Sequence, residues 1–146
     1  MSSPVTQVLV IANRTAATPA LLEAVRVRAA RSACRFYLVV PASPKGLHRV
    51  VDPEVAGRAE AARNLDLALP LLTEAAGAPV EGHVGDADPL AAIQDALHRQ
   101  PTEEILISTL PRRLSKWTHL DLVSKARALG LPVEHVEARS PVDAVA

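Results

Sequence analysis

Short apolar segments alternate with segments of helical periodicity along the whole chain, and this alternation limits the fold more than any other feature. The segments Gln7–Ala12, Arg35–Pro41 and Glu104–Thr109 each contain an uninterrupted apolar run, whereas 78–85 and 131–138 interleave polar residues. Continuous apolar runs of this length are typical of parallel strands buried on both faces. Repeated strand–helix units give right-handed crossovers, so the sequence predicts an α/β fold with a mostly parallel five-stranded sheet and helices on both faces.

The composition of the strands also predicts their order. Continuously apolar strands belong in the centre of a sheet and interleaved strands at its edges. The order 3-2-1-4-5 satisfies this rule and gives a Rossmann-like sheet whose connections reverse direction between strands 1 and 4. We expect one domain over residues 1–146, with loose ends at 1–6 and 139–146.

Proline and glycine mark the predicted helices. Thr18 and Asp88 each precede a proline and are typical N-cap residues. A long helix is predicted from Asp52–Pro53 towards Gly77, with a kink or break near Pro70. A fourth helix is predicted from about Ser115 to Leu129, because Gly130 is a typical stop signal.

The composition excludes several classes of function. Sixteen basic and sixteen acidic residues give zero formal net charge, which argues against a dedicated nucleic-acid binder. Cys34 is the single cysteine, so no intrachain disulfide can form. The first residues lack a signal-peptide pattern, and no apolar run approaches the length of about 18 residues that a membrane span requires. We therefore expect a soluble cytoplasmic protein that does not bind membranes.

The predicted strand order places any ligand site at the carboxyl ends of the central strands. Ligands in such sheets bind beyond the carboxyl ends of the strands, at the point where the connections reverse. Here the crevice lies between the segments Ile11–Thr15 and Ile107–Arg113, and Gly85–Pro89 is a further candidate wall.

Two long segments resemble the universal stress protein family. "VEGHVGDADPLAAIQDAL" is similar to the family's third strand, glycine turn and third helix. "EEILISTLPRRLSKWTHLDLVSKARALGLPVEHV" occupies the place of its fourth strand, nucleotide loop, fourth helix and last strand. The resemblance covers about Val8 to Val136, and within the family it is nearest to a divergent group of actinobacterial type. It implies the HUP-like, universal-stress-protein fold and a homodimer that pairs its last strands, with Val133, His135 and Val136 at the dimer edge.

The family's nucleotide motif is degenerate in this chain. ATP-binding members carry G-x2-G-x9-G-[ST] after the fourth strand, and the matching positions here hold Ser108, Pro111, Asp121 and Leu122. Proline has no N–H to offer a phosphate, and an aspartate repels it. Asn13 stands where the family usually has aspartate. The sequence therefore predicts no cofactor, with ATP or AMP disfavoured, because the family's glycine loop has been lost.

A remodelled anion site is the alternative. Arginine binds phosphate bidentately without any glycine loop, and a helix N-terminus adds free amides. The candidate residues are Asn13, Arg14, Ser108, Thr109, Arg112, Arg113, Ser115 and Lys116. The same basic residues could instead form a solvated rim, paired in part with Glu103, Glu104 and Asp121. Both interpretations remain open from the sequence.

No motif for catalysis or metal binding is present. The five histidines show no metal-ligand spacing, and His83 and His135 are expected to face solvent at opposite sheet edges. Trp117 is interpreted as a packing residue, with a lid beside the crevice as the alternative. The sequence thus predicts a non-catalytic accessory or regulatory module. The alternative is a small-molecule binder that holds a nucleotide or another anion through the arginine-rich loop. The expected partners are a second copy of the chain, which forms a homodimer, and an unidentified protein.

Overall fold

The computed structural model describes residues 5–42, 53–109 and 119–137. Strands and helices alternate through these ranges, as the sequence predicts. The elements are β1 (Thr6–Ile11), α1 (Pro19–Arg31), β2 (Cys34–Pro41), α2 (Pro53–Ala76), β3 (Glu81–Gly85), α3 (Pro89–Arg99), β4 (Glu104–Thr109), α4 (His119–Arg127) and β5 (Val133–Glu137).

The five strands form one parallel sheet in the order β3-β2-β1-β4-β5. Ile11 at the end of β1 lies beside Val39 of β2 on one side and Ile107 of β4 on the other. The predicted order and the reversal between β1 and β4 are therefore confirmed. The two interleaved strands are the two edges, where one side of the backbone is not paired within the sheet.

Each strand contributes alternate side chains to two apolar layers. Val8 and Val10 of β1 pack with Leu21 of α1 and Leu72 of α2 on one face. On the other face, the intervening β1 residues pack against α3 and α4. The predicted cover of helices on both faces is confirmed, and it explains why the central strands contain uninterrupted apolar runs.

The predicted starts of α1, α2 and α3 are confirmed, whereas the predicted start of α4 at about Ser115 lies outside the described residues. The two N-cap residues act differently. Asp88 Oδ1 accepts a hydrogen bond from the Leu90 amide at 3.1 Å, as an N-cap aspartate should. Thr18 has the extended backbone of an N-cap, but its hydroxyl donates to the Thr15 carbonyl at 2.8 Å. Thr18 therefore tightens the turn before α1 and leaves the first amides of that helix uncapped by its side chain.

Helix α2 runs without a break through Pro70, so the predicted break at this residue is wrong. The flanking residues Ala68 and Leu72 are fully buried, while Pro70 itself is exposed. Packing on both sides of the proline keeps the helix continuous, and its ring points to solvent where it does not disturb the core. None of the described helices is long and apolar enough to cross a membrane.

Two glycines have positions that no larger residue would fill easily. Gly130 follows α4 with φ of +93°, in the left-handed region that ends many helices. Gly82 lies where a Cβ atom would be 2.3 Å from the Leu38 carbonyl oxygen. The missing side chain of Gly82 lets edge strand β3 and helix α2 approach β2 closely.

Candidate functional site at the carboxyl ends of β1 and β4

The predicted crevice begins with a tight turn after β1. The Ala16 amide donates to the Asn13 carbonyl, and the Thr18 amide donates to the Thr15 carbonyl, both at 3.1 Å. These overlapping turns carry the chain from the end of β1 to the start of α1. They also hold residues 13 to 15 at the carboxyl end of the sheet, where β1 lies beside β4.

Asn13 connects three elements through its side-chain amide. Its Nδ2 donates to the Pro41 carbonyl at the end of β2 at 2.6 Å. Its Oδ1 accepts from Asn64 Nδ2 on α2 at 2.7 Å. Both polar atoms of the Asn13 side chain are therefore engaged within the chain, and a ligand would have to compete with these bonds.

A buried pair of hydroxyl groups joins the two strands at the reversal point. Ser108 Oγ on β4 lies 2.7 Å from Thr15 Oγ1 in the turn after β1. Ser108 is 7% exposed and Thr15 is 2% exposed. The contact fills the floor of the crevice with a direct protein–protein hydrogen bond, at the place where a bound ligand would meet the sheet.

Thr109 bonds to the edge strand. Its Oγ1 lies 2.7 Å from His135 Nε2, with the donor set by the tautomer of the imidazole. In the sheet, His135 lies beside Ile107, so its side chain is on the same face as Thr109. His135 is half-buried. The expectation that His135 faces solvent is therefore wrong, since its half-buried ring is bonded to Thr109.

Arg14 is the one predicted basic residue of the site in the described part of the chain. Its Nε lies 3.4 Å from Glu60 Oε1 of α2, and its side chain is 55% exposed. Arg112, Arg113, Ser115 and Lys116 lie outside the described residues, as does Trp117. The structure places Asn13, Arg14, Ser108 and Thr109 at the carboxyl ends of β1 and β4, with Ser108 and Thr109 on opposite faces of the sheet. Each of the four side chains is engaged with a neighbour from the same chain.

The carboxylates that were expected to neutralise the basic rim have other partners. Glu103 accepts from the Gln7 amide at 3.1 Å, and Glu104 bonds to Arg28. Both glutamates lie at the amino end of β4, whereas the crevice lies at its carboxyl end. Asp121 pairs with Lys125 one turn along α4, at 3.1 Å. The expected pairing of these acids with the crevice is therefore wrong in the case of Glu103 and Glu104, because the strand separates them from it.

Glu60 and Asn64 were not predicted from the sequence, and Thr15 was predicted only as the end of the crevice segment Ile11–Thr15. Glu60 and Asn64 are one turn apart on α2, so they project from the same side of the helix towards the turn after β1. The spacing of Glu60 and Asn64 on one helix face is visible in the sequence. Their partners after β1 are not, because only the fold brings α2 beside that turn.

His83 on the other edge strand is also turned inward. Its Nδ1 lies 2.7 Å from the Tyr37 hydroxyl, and the two rings have centroids 5.5 Å apart. Burial lowers the pKa of His83, as does the nearby Arg99 guanidinium, and Asp95 opposes them. The expectation of a solvent-facing His83 is wrong, although the residue lies on an edge strand as predicted.

Within the described ranges, no group of three or more histidine, cysteine, aspartate or glutamate side chains is arranged to hold a metal ion. Cys34 is half-buried at the start of β2, and burial raises the pKa of its thiol. A raised pKa leaves the thiol protonated near neutral pH, which is the form of low nucleophilicity.

The architecture defines a class: a single parallel α/β sheet whose connections reverse direction between β1 and β4. Among solved structures, a universal stress protein family member from Burkholderia pseudomallei is similar at 21% identity, with a TM-score of 0.61, covering 92% of this chain and 98% of that one. A universal stress protein from Archaeoglobus fulgidus in complex with dAMP is 18% identical, with a TM-score of 0.56 and coverage of 91% and 98%. A family protein from Arabidopsis thaliana with AMP bound is 16% identical, with a TM-score of 0.60 and coverage of 92% and 93%.

These similarities show that the chain has the universal-stress-protein fold over nearly its whole length. No family model and no curated protein sequence matches the chain. The similarity to these known proteins is therefore one of fold, at sequence identities of 16% to 21%.

Proposed function

We propose that the chain is a divergent universal-stress-protein-like module that acts as a non-catalytic accessory or regulatory protein and does not hold ATP in a glycine loop. The hydrogen bond between Ser108 and Thr15 carries this proposal. It uses the floor of the crevice for a contact within the protein, at the reversal point where a ligand of this fold class would bind.

The polar groups around that floor support the same conclusion. Asn13 is bonded at both ends of its side-chain amide, and Thr109 is bonded to His135. A nucleotide would have to replace each of these bonds with one of its own, so the net gain per new bond would be small. The sequence adds that Pro111 lacks an amide hydrogen and that Leu122 lacks a hydroxyl, so two of the family's phosphate contacts have no donor.

Calorimetric titration of AMP, ADP and ATP, with and without magnesium, tests the proposal. The purified chain should give no saturable heat up to millimolar nucleotide. An Arg112→Ala/Arg113→Ala variant serves as the matched control. Micromolar binding that persists in this variant would place a nucleotide on Asn13, Thr15 and Ser108, and the proposal would be wrong.

A second function is supported by the solved structures with dAMP and AMP. In this alternative the chain binds a nucleotide or another anion through arginine side chains that replace the glycine loop. Arg14 is at the mouth of the crevice and more than half exposed, so it can turn towards an anion. Binding that is present in the parent chain and lost in the Arg112→Ala/Arg113→Ala variant would establish this second function.

We also propose that two copies pair along β5. Ile105 of β4 donates to the Pro132 carbonyl, so the alternation of a parallel ladder turns the N–H and C=O groups of Val133, His135 and Glu137 outward. The outward backbone groups of an edge strand can align with a second strand. The side chains of Val133, His135 and Val136 are half-buried in their own chain, so the backbone would supply most of this contact.

A further inference from the structure

An exposed stripe runs along helix α2 on the side away from the sheet. It consists of Arg63, Leu67, Pro70 and Glu74, which are separated by four, three and four residues, and we call it the α2 stripe. All four residues are exposed. Leu67 is 67% exposed, and its neighbour Leu71 is 40% exposed. The apolar middle of this stripe is therefore in water in the isolated chain, at a cost that burial would remove.

The spacing of the α2 stripe is that of a seam between two helices. Residues that alternate by three and four lie on one face of a helix and pack into the facing helix of a coiled-coil-like pair. The opposite face of α2 is already used, because Ala61, Ala68 and Leu72 are fully buried against the sheet. The α2 stripe is thus a second face of this helix, with two apolar residues in its middle, and the first face already packs in the core.

The charges at the ends of the stripe determine what fits it. A two-fold axis through the midpoint between Leu67 and Pro70 places Leu67 opposite Pro70 of a second copy. The same axis places Arg63 opposite Glu74 of that copy, and it does so twice by symmetry. A parallel arrangement would instead bring like charges together. Neither Arg63 nor Glu74 makes an ion pair with another side chain in the described ranges, so both charges are available for such a contact.

We propose that a second copy of this chain docks on the α2 stripe, with the two α2 helices antiparallel about a two-fold axis. This contact is independent of the proposed function and of pairing along β5, since α2 packs on β2 and β3 whereas β5 is the opposite edge strand of the sheet. A stable interface buries about 800 Å² on each partner. One helix stripe presents less than this, so the self-association is weak and depends on protein concentration.

Charge reversal tests the antiparallel arrangement directly. Sedimentation velocity is measured on the full chain from micromolar to millimolar concentration. Arg63→Glu places glutamate opposite Glu74, and Glu74→Arg places arginine opposite Arg63. Each single variant should weaken the α2 step about tenfold or more, because two attractive contacts become two repulsive ones. The double variant Arg63→Glu/Glu74→Arg should recover the association of the parent chain.

Mixing the two single variants gives the sharpest result. In a mixed pair every charge contact is attractive again, so the mixture should associate more strongly than either variant alone. Val27→Lys, at an exposed position on α1, is the matched surface control and should leave association unchanged. Circular dichroism melting curves check that each variant is folded. The proposal is wrong if the single variants associate as the parent does, if the mixture gains nothing, or if the parent shows no step that depends on these residues.

Discussion

Arg28 of α1 and Glu104 of β4 form a two-pronged ion pair at the amino end of the sheet, with Nε–Oε1 at 3.1 Å and Nη2–Oε2 at 2.5 Å. The Arg28 side chain is 8% exposed and that of Glu104 is 27% exposed. Arg28 also donates to the Ser32 hydroxyl at 3.0 Å, so the guanidinium connects the end of α1 to a central strand. The hydrogen bond from Arg28 lowers the pKa of Glu104, which keeps this carboxyl ionised.

Removing one member of this pair should destabilise the fold. Arg28→Met leaves Glu104 partly buried without its cation, and the free energy of unfolding should fall by about 2 kcal/mol, below the range for fully buried pairs because Glu104 retains solvent. Urea unfolding followed by circular dichroism measures this. The control is Arg26→Met, which removes the exposed Arg26–Glu23 pair and should change stability by less than about 0.5 kcal/mol. Equal effects of the two substitutions would contradict the assignment.

The partial burial of His83 should make stability depend on pH near neutrality. Burial lowers the pKa of His83 in the folded state, so the unfolded chain binds a proton on this residue more readily. The contribution of His83 is therefore complete above the unfolded pKa of about 6.5 and is lost as pH falls through the folded value. Unfolding free energies measured from pH 8 to pH 5 should decline less in His83→Gln than in the parent. The exposed His98 provides the control substitution, and an unchanged slope in His83→Gln would refute the prediction.

The hydroxyl pair at the crevice floor should show direct energetic coupling. Ser108→Ala leaves the buried Thr15 hydroxyl without its partner and should cost about 1–2 kcal/mol. Thr15→Val preserves the volume of the side chain and should cost a similar amount. In the double variant the two losses should not add, and a coupling energy of about 1 kcal/mol is expected from urea unfolding. Additive losses would mean that the two hydroxyl groups do not form the bond in solution.

Pairing along β5 predicts a specific effect of proline. Glu137→Pro removes one outward N–H and leaves the inner ladder to β4 intact, and the residue before a proline tolerates the extended backbone found here. Dimerisation measured by light scattering should weaken, while the melting temperature stays close to that of the parent. Glu137→Ala, which keeps the N–H, should behave as the parent does. A dimer that resists Glu137→Pro uses another surface.

Most of the fold could be predicted from the sequence because the patterns that indicate strands and helix ends are local. Apolar continuity separated β1, β2 and β4 from the edge strands, and the proline and glycine signals placed the helix ends within a few residues. The predicted break at Pro70 was wrong because tertiary packing of Ala68 and Leu72 outweighs the local cost of the proline.

The site was only partly readable, since its contacts join residues far apart in the chain. Ser108 was predicted, but its partner Thr15 is 93 residues away. The inward orientation of His135 follows from its register beside Ile107, which the sequence alone does not give. Glu103 and Glu104, which were assigned to the crevice, lie at the amino end of β4. An extended strand places its two ends far apart even when they are only a few residues apart in sequence.

The central claim is that the Asn13 side chain is bonded to Pro41 and Asn64, that Thr15 is bonded to Ser108, and that these contacts leave no nucleotide cradle at the carboxyl ends of β1 and β4. Titrating AMP into ¹⁵N-labelled protein, and following the backbone amides of these residues by NMR, tests it most directly. We predict that these amides do not shift in a saturable way up to millimolar AMP. Saturable shifts centred on Asn13, Thr15 and Ser108 would show that the crevice opens to hold a nucleotide, and they would contradict the account.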